Sequence, residues 1–281
     1  MPEFDPEVSN KPKGPIARFF VLGWSNLVRL MASNALYIIF NIPAIILAGI
    51  VAMNFVPWIA PHFIDVHSYI DPVTGNDDGV FQLLFFLVFF LITFLISSTL
   101  ICIGPFQTGF AQVYKDILNE SSVSFFSSFK TGLRNNWKKG LVSMIISIVL
   151  TPVLLLAIGF YLNFQSGLGT LIAAVFIVLL FALILVQNFV YTLTVSTDLK
   201  LTRIYKNALL FMLIRFVPCL GISLIVILFY VIIPFILLMS ASYLTLGIFM
   251  FLYSFFVISW VQYFISFYTG RLIEKYVAKE E

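Results

Sequence analysis

Charged side chains are scarce in this sequence. Asp, Glu, Lys and Arg make up 10% of the 281 residues, while hydrophobic residues make up 61%. A soluble domain carries about 25% charged residues, so we expect a polytopic membrane protein. The long apolar runs contain no Asp, Glu, Lys, Arg or His. This argues against an ion pump or antiporter that works through buried charges.

Motifs of enzymatic catalysis are missing as well. The sequence has no phosphate-binding loop, no glycine-rich dinucleotide fingerprint, no G-x-S-x-G nucleophile elbow and no H-E-x-x-H zinc motif. An enzyme acting on lipid or isoprenoid carriers is disfavoured, because paired acidic residues that could hold a metal are lacking. We therefore expect a non-enzymatic protein with no catalytic residue, no cofactor and no metal site.

Cysteine and histidine are nearly absent, with two of each. Cys102 and Cys219 lie in or beside apolar runs, where they act as small hydrophobic residues and imply no disulfide framework. His62 and His67 share the segment Pro57–Gly79 with several aspartates, in a spacing that matches no zinc or calcium pattern. We interpret this segment as a solvated acidic loop.

Apolar runs dominate what remains. Six of them reach the roughly 20 residues that a helix needs to span a bilayer. The short turn between the last two would also allow one re-entrant segment. The runs are Leu30–Phe55, Val80–Ile103, Leu141–Asn163, Leu168–Thr194, Pro218–Ser240 and Tyr243–Phe267.

The 16 basic residues are distributed very unevenly. They lie before the first run, after the last run, and in the connections 104–140 and 196–216. Basic residues stay in the cytoplasm during insertion, so we expect both termini and these two connections to be cytoplasmic. The six runs then form three transmembrane hairpins. We treat residues 1–13 as a flexible cytoplasmic tail and residues 14–281 as a single all-α membrane domain.

Each outward run follows a segment that mixes apolar and basic residues: Ala17–Met31, Ser124–Lys139 and Asp198–Phe216. The three- and four-residue steps in the middle segment are typical of an amphipathic helix. Such a lead-in helix can lie in the membrane interface with its basic groups toward anionic headgroups. It can also dock a cytoplasmic protein. Its apolar stripe is Phe126, Phe129, Leu133 and Trp137, and its basic stripe is Lys130, Arg134 and Lys138.

Uncharged polar residues within the runs lie toward the predicted cytoplasmic side. We expect a buried cluster that could hold a neutral, hydroxyl-rich solute. The alternative is interhelical hydrogen bonding that only holds the bundle together, at about 0.6 kcal/mol per contact. The sequence leaves both interpretations open. The residues are Gln107, Gln187, Asn188, Tyr191 and Gln262.

Several short motifs lie in and around the cytoplasmic connections. They are Gly104-Pro105 with Thr108-Gly109-Phe110, Phe125-Phe126-x-x-Phe129-Lys130, Asn136-Trp137-Lys138, Trp24-x-Asn26-Leu27 and Ile204-Tyr205-Lys206-Asn207-Ala208-Leu209. Together they resemble the YesL family of bacterial integral membrane proteins, a domain family of unknown function. The resemblance implies a multi-pass protein of a bacterial plasma membrane. It also implies an association with carbohydrate-uptake and carbohydrate-degrading systems, and it supplies no catalytic residues.

These observations lead to two functional expectations. The first is a membrane protein that assists carbohydrate transport, as a small permease or as an accessory subunit of a sugar-uptake system. The second is a scaffold or regulatory protein that docks a cytoplasmic partner through its basic amphipathic helices. No nucleic-acid partner is expected. A polar cavity lined by Gln107, Gln187 and Gln262 would favour transport, and a filled bundle would not.

Overall fold

The described part of the chain is helical. The computed structural model describes residues 14–42, 44–50, 52–53, 88, 90–91, 93–95, 104–164, 166–239 and 243–276, and no strand occurs among them. The elements are α1 (Pro15–Ser25), α2 (Leu27–Phe40), a short helix Ala44–Ile50, α3 (Pro105–Leu118), α4 (Phe125–Leu162), α5 (Gly167–Ser196), α6 (Leu201–Ile214), α7 (Phe216–Ile227), a π-helical segment (Leu228–Ile232), α8 (Ile233–Met239), α9 (Tyr243–Phe255) and α10 (Val257–Tyr276).

Three described helices are long and apolar enough to cross a membrane. They are α4, α5 and the continuous stretch Phe216–Leu238. Two further candidates are bent pairs: α2 with Ala44–Ile50, bent by 54°, and Leu244–Phe255 with α10, bent by 46°. The described residues thus provide three to five candidate spans. The all-α prediction is confirmed for the described residues, and the candidate spans support the prediction of a polytopic membrane protein.

These candidates coincide with all but one of the predicted apolar runs. The remaining run, Val80–Ile103, lies mostly outside the described residues, and the acidic loop Pro57–Gly79 and the tail of residues 1–13 lie wholly outside them. The six spans, the three hairpins and the cytoplasmic termini therefore stay predictions.

The middle lead-in is not a separate helix, contrary to expectation. Residues 125–140 and the following span form one helix, α4, of 38 residues. At 1.5 Å per residue it is about 57 Å long, well over the roughly 30 Å of a bilayer core. The first lead-in, Ala17–Met31, is interrupted within its length at Asn26, and the third, Asp198–Phe216, breaks next to its end at Arg215, because both residues leave helical geometry. A straight α4 cannot both cross the membrane and lay its first turns flat on it.

The first half of α4 packs closely against α3. A Cβ on Gly132 would lie 2.5 Å from the Thr108 carbonyl oxygen, and a Cβ on Gly140 would lie 2.9 Å from the Gly104 carbonyl oxygen. Only glycine permits so close an approach of two backbones. Gly104 also has φ +56, a conformation that favours glycine and turns the chain into α3.

The bend between α9 and α10 is held by a buried side chain from α2. The Asn34 amide nitrogen donates to the carbonyls of Tyr253 and Ser254, each at 2.8 Å, and its oxygen accepts from the Ser259 N–H at 2.8 Å. A broken helix in a membrane needs partners for its freed backbone groups. One asparagine supplies three of them.

The π-helical segment has a similar explanation. The Ile233 N–H donates to the Leu228 carbonyl, five residues earlier. The next bond of this i to i−5 pattern would run from residue 234 to the Phe229 carbonyl, but residue 234 is a proline and has no N–H. The Phe229 carbonyl is thereby freed, and the Tyr253 hydroxyl of α9 donates to it. The neighbouring helix thus compensates for Pro234.

Two large apolar clusters, and a third of only three residues, form the interior of the described bundle. The larger joins α2, α3, α9 and α10 and includes the fully buried rings of Tyr37 and Tyr263. The smaller joins α5, α6 and the end of α10, and it includes Cys219. Polar side chains lie between the two clusters, where α3, α5 and α10 meet.

Candidate functional site: a buried polar cluster

The structure brings together the five side chains of the predicted polar cluster. They come from α3, α5 and α10 and line one small cavity. Each is less than one-tenth exposed. Spacing explains the convergence, because residues 187, 188 and 191 lie on one side of α5. The lining residues are Gln107, Ala111, Tyr114, Gln187, Asn188, Tyr191, Thr192, Gln262 and Ser266.

The size of the cavity limits what it can hold. Its volume is about 10 Å³, and a single water molecule needs about 10–15 Å³ on this measure. A monosaccharide has many times the volume of a water molecule and does not fit. In this conformation, the cluster is a nearly filled junction between helices rather than a pathway for a sugar.

Gln187 is engaged by the helices on either side of α5. Its amide nitrogen donates to the Ser147 hydroxyl of α4, and its amide oxygen accepts from the Tyr205 hydroxyl of α6 at 3.3 Å. The Ser143 hydroxyl lies 3.4 Å from the same Gln187 oxygen and 2.8 Å from the Tyr205 hydroxyl. This network links α4, α5 and α6 in the way that polar residues usually join membrane helices.

The other amides of the cluster are incompletely paired. Gln107 Nε2 donates to Gln262 Oε1 at 3.3 Å. Gln107 Oε1, Gln262 Nε2 and both polar side-chain atoms of Asn188 are buried and have no hydrogen-bond partner in the described part of the chain. Buried polar atoms are normally hydrogen bonded to protein or to water. The cavity therefore offers donors and acceptors to one small polar molecule.

Several members of the site escape the sequence argument. Ser143 and Ser147 lie at a four-residue step within an apolar run, and this spacing is the signal that could have found them. Tyr205 belongs to the third lead-in and gives no such signal. Asn34, in contrast, is polar and buried but lies at the α9–α10 bend rather than in the cluster.

The stripe of apolar residues on α4 divides into two parts. Phe126 is 72% exposed and Trp137 is 48% exposed, as expected for a contact surface. Phe129 is instead half-buried against α3: its ring lies 4.9 Å from that of Phe110, and it occupies the space next to Gly109. Part of the Phe129 ring thus contacts α3 rather than the outside, and its assignment to a membrane-interface or docking surface stays a prediction. The three- and four-residue spacing of Phe129 with its neighbours in the stripe fits packing against another helix as well as contact with a membrane.

Three basic residues of α4 are exposed and have no acidic partner in the described part of the chain. Lys130, Arg134 and Lys138 are exposed and make no ion pair with a described residue. They lie four residues apart, so they form one stripe along the helix. Gly132 and Gly140 face the other way, into α3.

Basic side chains of other segments tie the connections together. Arg18 of α1 forms an ion pair with Glu120 at 3.2 Å, and Arg29 of α2 donates to two backbone carbonyls of the same linker. Lys115 of α3 donates to the Val195 carbonyl at the end of α5, at 2.8 Å. Segments that the basic residues predict to share one side of the membrane are therefore in contact.

Comparison with known proteins adds no relative. The chain matches no protein-family model, no curated protein and no solved structure. The resemblance to the YesL family rests on the short motifs alone, and any assignment of function has to come from the geometry above.

Proposed function

We propose that this chain is a non-catalytic, multi-pass protein of a bacterial plasma membrane that assists carbohydrate transport as an accessory subunit. In this proposal, the chain docks a partner of a sugar-uptake system through the basic stripe of α4. The observation that carries it is the unbroken helix α4, whose first half exposes three cations while its glycine face is fixed on α3. A preorganised helix loses little entropy when it binds.

The proposal includes the orientation and number of the spans. Both termini lie in the cytoplasm, Val80–Ile103 supplies the second of six spans, and the spans form three hairpins. The distribution of basic residues supports this orientation. The contacts of Arg18, Arg29 and Lys115 with neighbouring connections are compatible with it, because they join segments that it places on one side.

The size of the polar cavity favours an accessory role over a permease. A cavity for about one water molecule does not accommodate a saccharide. The unpaired amide atoms of Gln107, Gln262 and Asn188 favour the permease, since they line the cavity and could bind a polar solute. A permease would have to separate α3, α5 and α10 during each transport cycle.

The test measures uptake of labelled di- and trisaccharides in cells that lack the chain. Wild type should restore uptake, and Lys130→Glu/Arg134→Glu should not, although it reaches the membrane in equal amount. The matched control is Arg203→Glu/Lys206→Glu, which makes the same charge change at exposed positions of α6 and should restore uptake.

A reconstitution separates the two candidates. The purified protein alone in liposomes should take up none of these sugars if it is an accessory subunit. Uptake by the protein alone that falls on Asn188→Leu would establish the permease instead. Full uptake in cells that carry Lys130→Glu/Arg134→Glu would remove the basis for docking through α4.

A further inference from the structure

An apolar groove runs along α10 on the side that faces α1 and α7. Its volume is about 570 Å³, and aromatic and aliphatic side chains form nearly all of its surface. The walls include Phe20 of α1, Ile225 of α7, Phe229 of the π-helical segment, and Trp260 and Phe264 of α10. Among the residues that the structure describes, nothing closes the groove completely, so it is accessible from outside this part of the bundle.

A second pocket, lined by both polar and apolar side chains, adjoins the groove at one end. It has a volume of about 400 Å³ and shares Pro15, Phe267 and Arg271 with the groove. Arg18 and Lys115 also line it, and Glu274 is the acidic residue in its wall. Three cations against one carboxylate make the pocket favourable for an anion.

The three cations of the pocket differ in how many hydrogen bonds and ion pairs they already make within the protein. Arg18 pairs with Glu120, and Lys115 donates one of its three N–H groups to a backbone carbonyl. Arg271 is exposed and makes no hydrogen bond or ion pair with any described residue. The guanidinium at the junction of pocket and groove is therefore free to bind a phosphate in a bidentate manner.

We infer that the groove and the pocket together form a binding site for an anionic phospholipid. One acyl chain occupies the groove, and the phosphate headgroup lies against Arg271, with Lys115 and Arg18 nearby. The polarity of the site matches that of an amphiphile, because its cations lie at one end only. From Val257 to Arg271 the groove follows α10 for about 21 Å. This exceeds the roughly 15 Å of hydrocarbon in one leaflet, so a chain fits lengthwise. The inference does not depend on the transport proposal.

Trp260 provides a direct probe of the groove. A variant that keeps Trp260 and carries phenylalanine in place of Trp24, Trp58 and Trp137 gives a single fluorophore in the wall. Bilayers containing phosphatidylglycerol brominated on its acyl chains are compared with bilayers containing the equally brominated phosphatidylcholine. Each basic residue near an anionic headgroup is worth a factor of about five in binding. Quenching by the anionic lipid should therefore reach its midpoint at a mole fraction at least about fivefold lower.

Variants locate the effect. Arg271→Gln should reduce the preference for the anionic lipid by about fivefold, and Arg271→Lys should keep most of this preference. The control is Lys206→Gln, which removes an exposed cation of α6 and should leave the preference unchanged. Ile225→Phe, which places a larger side chain in the wall of the groove, should lower quenching by both lipids. Elution as a single species in size-exclusion chromatography checks that each variant is folded.

Four results would overturn the inference. They are equal quenching by the two lipids, no quenching by either, a preference unchanged in Arg271→Gln, and loss of the preference on adding inorganic phosphate. The last would assign the pocket to a free anion. A brominated isoprenyl phosphate that binds more tightly than the phospholipid would likewise contradict the choice of a phospholipid.

Discussion

Replacing Asn34 with leucine should destabilise this protein far more than an Asn→Leu change at its surface. Asn34 is fully buried, and its amide makes three hydrogen bonds of 2.8 Å to the bend between α9 and α10. Leucine has a similar volume, so the substitution removes the hydrogen bonds without opening a large cavity. Two backbone carbonyls and one N–H then lose their partner inside the bundle.

Two limits bracket the cost of this substitution. Hydrogen bonds between membrane helices average about 0.6 kcal/mol each, or about 2 kcal/mol for three. Unpaired buried polar groups cost about 1–3 kcal/mol each, or up to about 9 kcal/mol for three without relaxation. Because the ends of α9 and α10 can shift toward other partners, we expect the free energy of unfolding to fall by about 2–4 kcal/mol.

The buried thiol of Cys219 allows this free energy to be measured. In a Cys102→Ala background, a thiol-reactive dye labels Cys219 in proportion to the population of unfolded protein. Since 1.4 kcal/mol corresponds to a factor of ten, Asn34→Leu should accelerate labelling by about 30- to 700-fold. The control is Asn135→Leu at an exposed position of α4, which should change the rate little. A rate for Asn34→Leu within threefold of wild type would refute the argument.

The same labelling assay tests three further expectations. Gly132→Ala should lower the free energy of unfolding by about 1–3 kcal/mol, because the added Cβ overlaps α3. In the control Gly159→Ala, the added Cβ meets nothing within 4 Å, so this change should be neutral or stabilising. Equal effects of the two substitutions would contradict the close packing of α4 on α3. Gln187→Leu should lower the free energy of unfolding by about 2 kcal/mol, because the hydroxyl groups that bond to Gln187 lose their partner. Asn188→Leu should lower it by less than about 0.5 kcal/mol, because the Asn188 amide has no partner to lose in the described part of the chain. The reverse order would contradict the hydrogen bonding described for the cluster. Tyr253→Phe should cost about 1 kcal/mol by leaving a freed carbonyl unpaired, and no loss would mean that this carbonyl finds another partner.

Local pattern predicted much of the helical architecture and the polar cluster. Apolar runs mark the candidate spans because a bilayer requires about 20 apolar residues in a row. Gln187, Asn188 and Tyr191 were predicted together because spacing on one helix is a local property. Their meeting with Gln107 and Gln262 was expected from depth along the spans, and the structure places all five around one cavity.

The rest depends on contacts that no local pattern contains. The three- and four-residue steps of Phe126 and Phe129 describe an amphipathic helix, but they do not distinguish a membrane surface from another helix. Phe129 packs on Gly109, and that pairing is set by the way α3 meets α4. Asn34 acts on backbone groups more than 200 positions away along the chain, so its role cannot be inferred from its neighbours in sequence.

The continuity of α4 gives the molecule a mechanical property. Lys130 and Pro152 lie in the same helix, about 33 Å apart along its axis. With α3 holding the helix at Gly140, the arm from there to Pro152 is about 18 Å long, and a tilt of about 5° moves Pro152 by about 1.6 Å. A partner bound to the basic stripe would therefore hold a lever whose far arm lies among the apolar residues of a candidate span. Gly132 and Gly140, which are in contact with α3, lie between the two ends and act as its fulcrum.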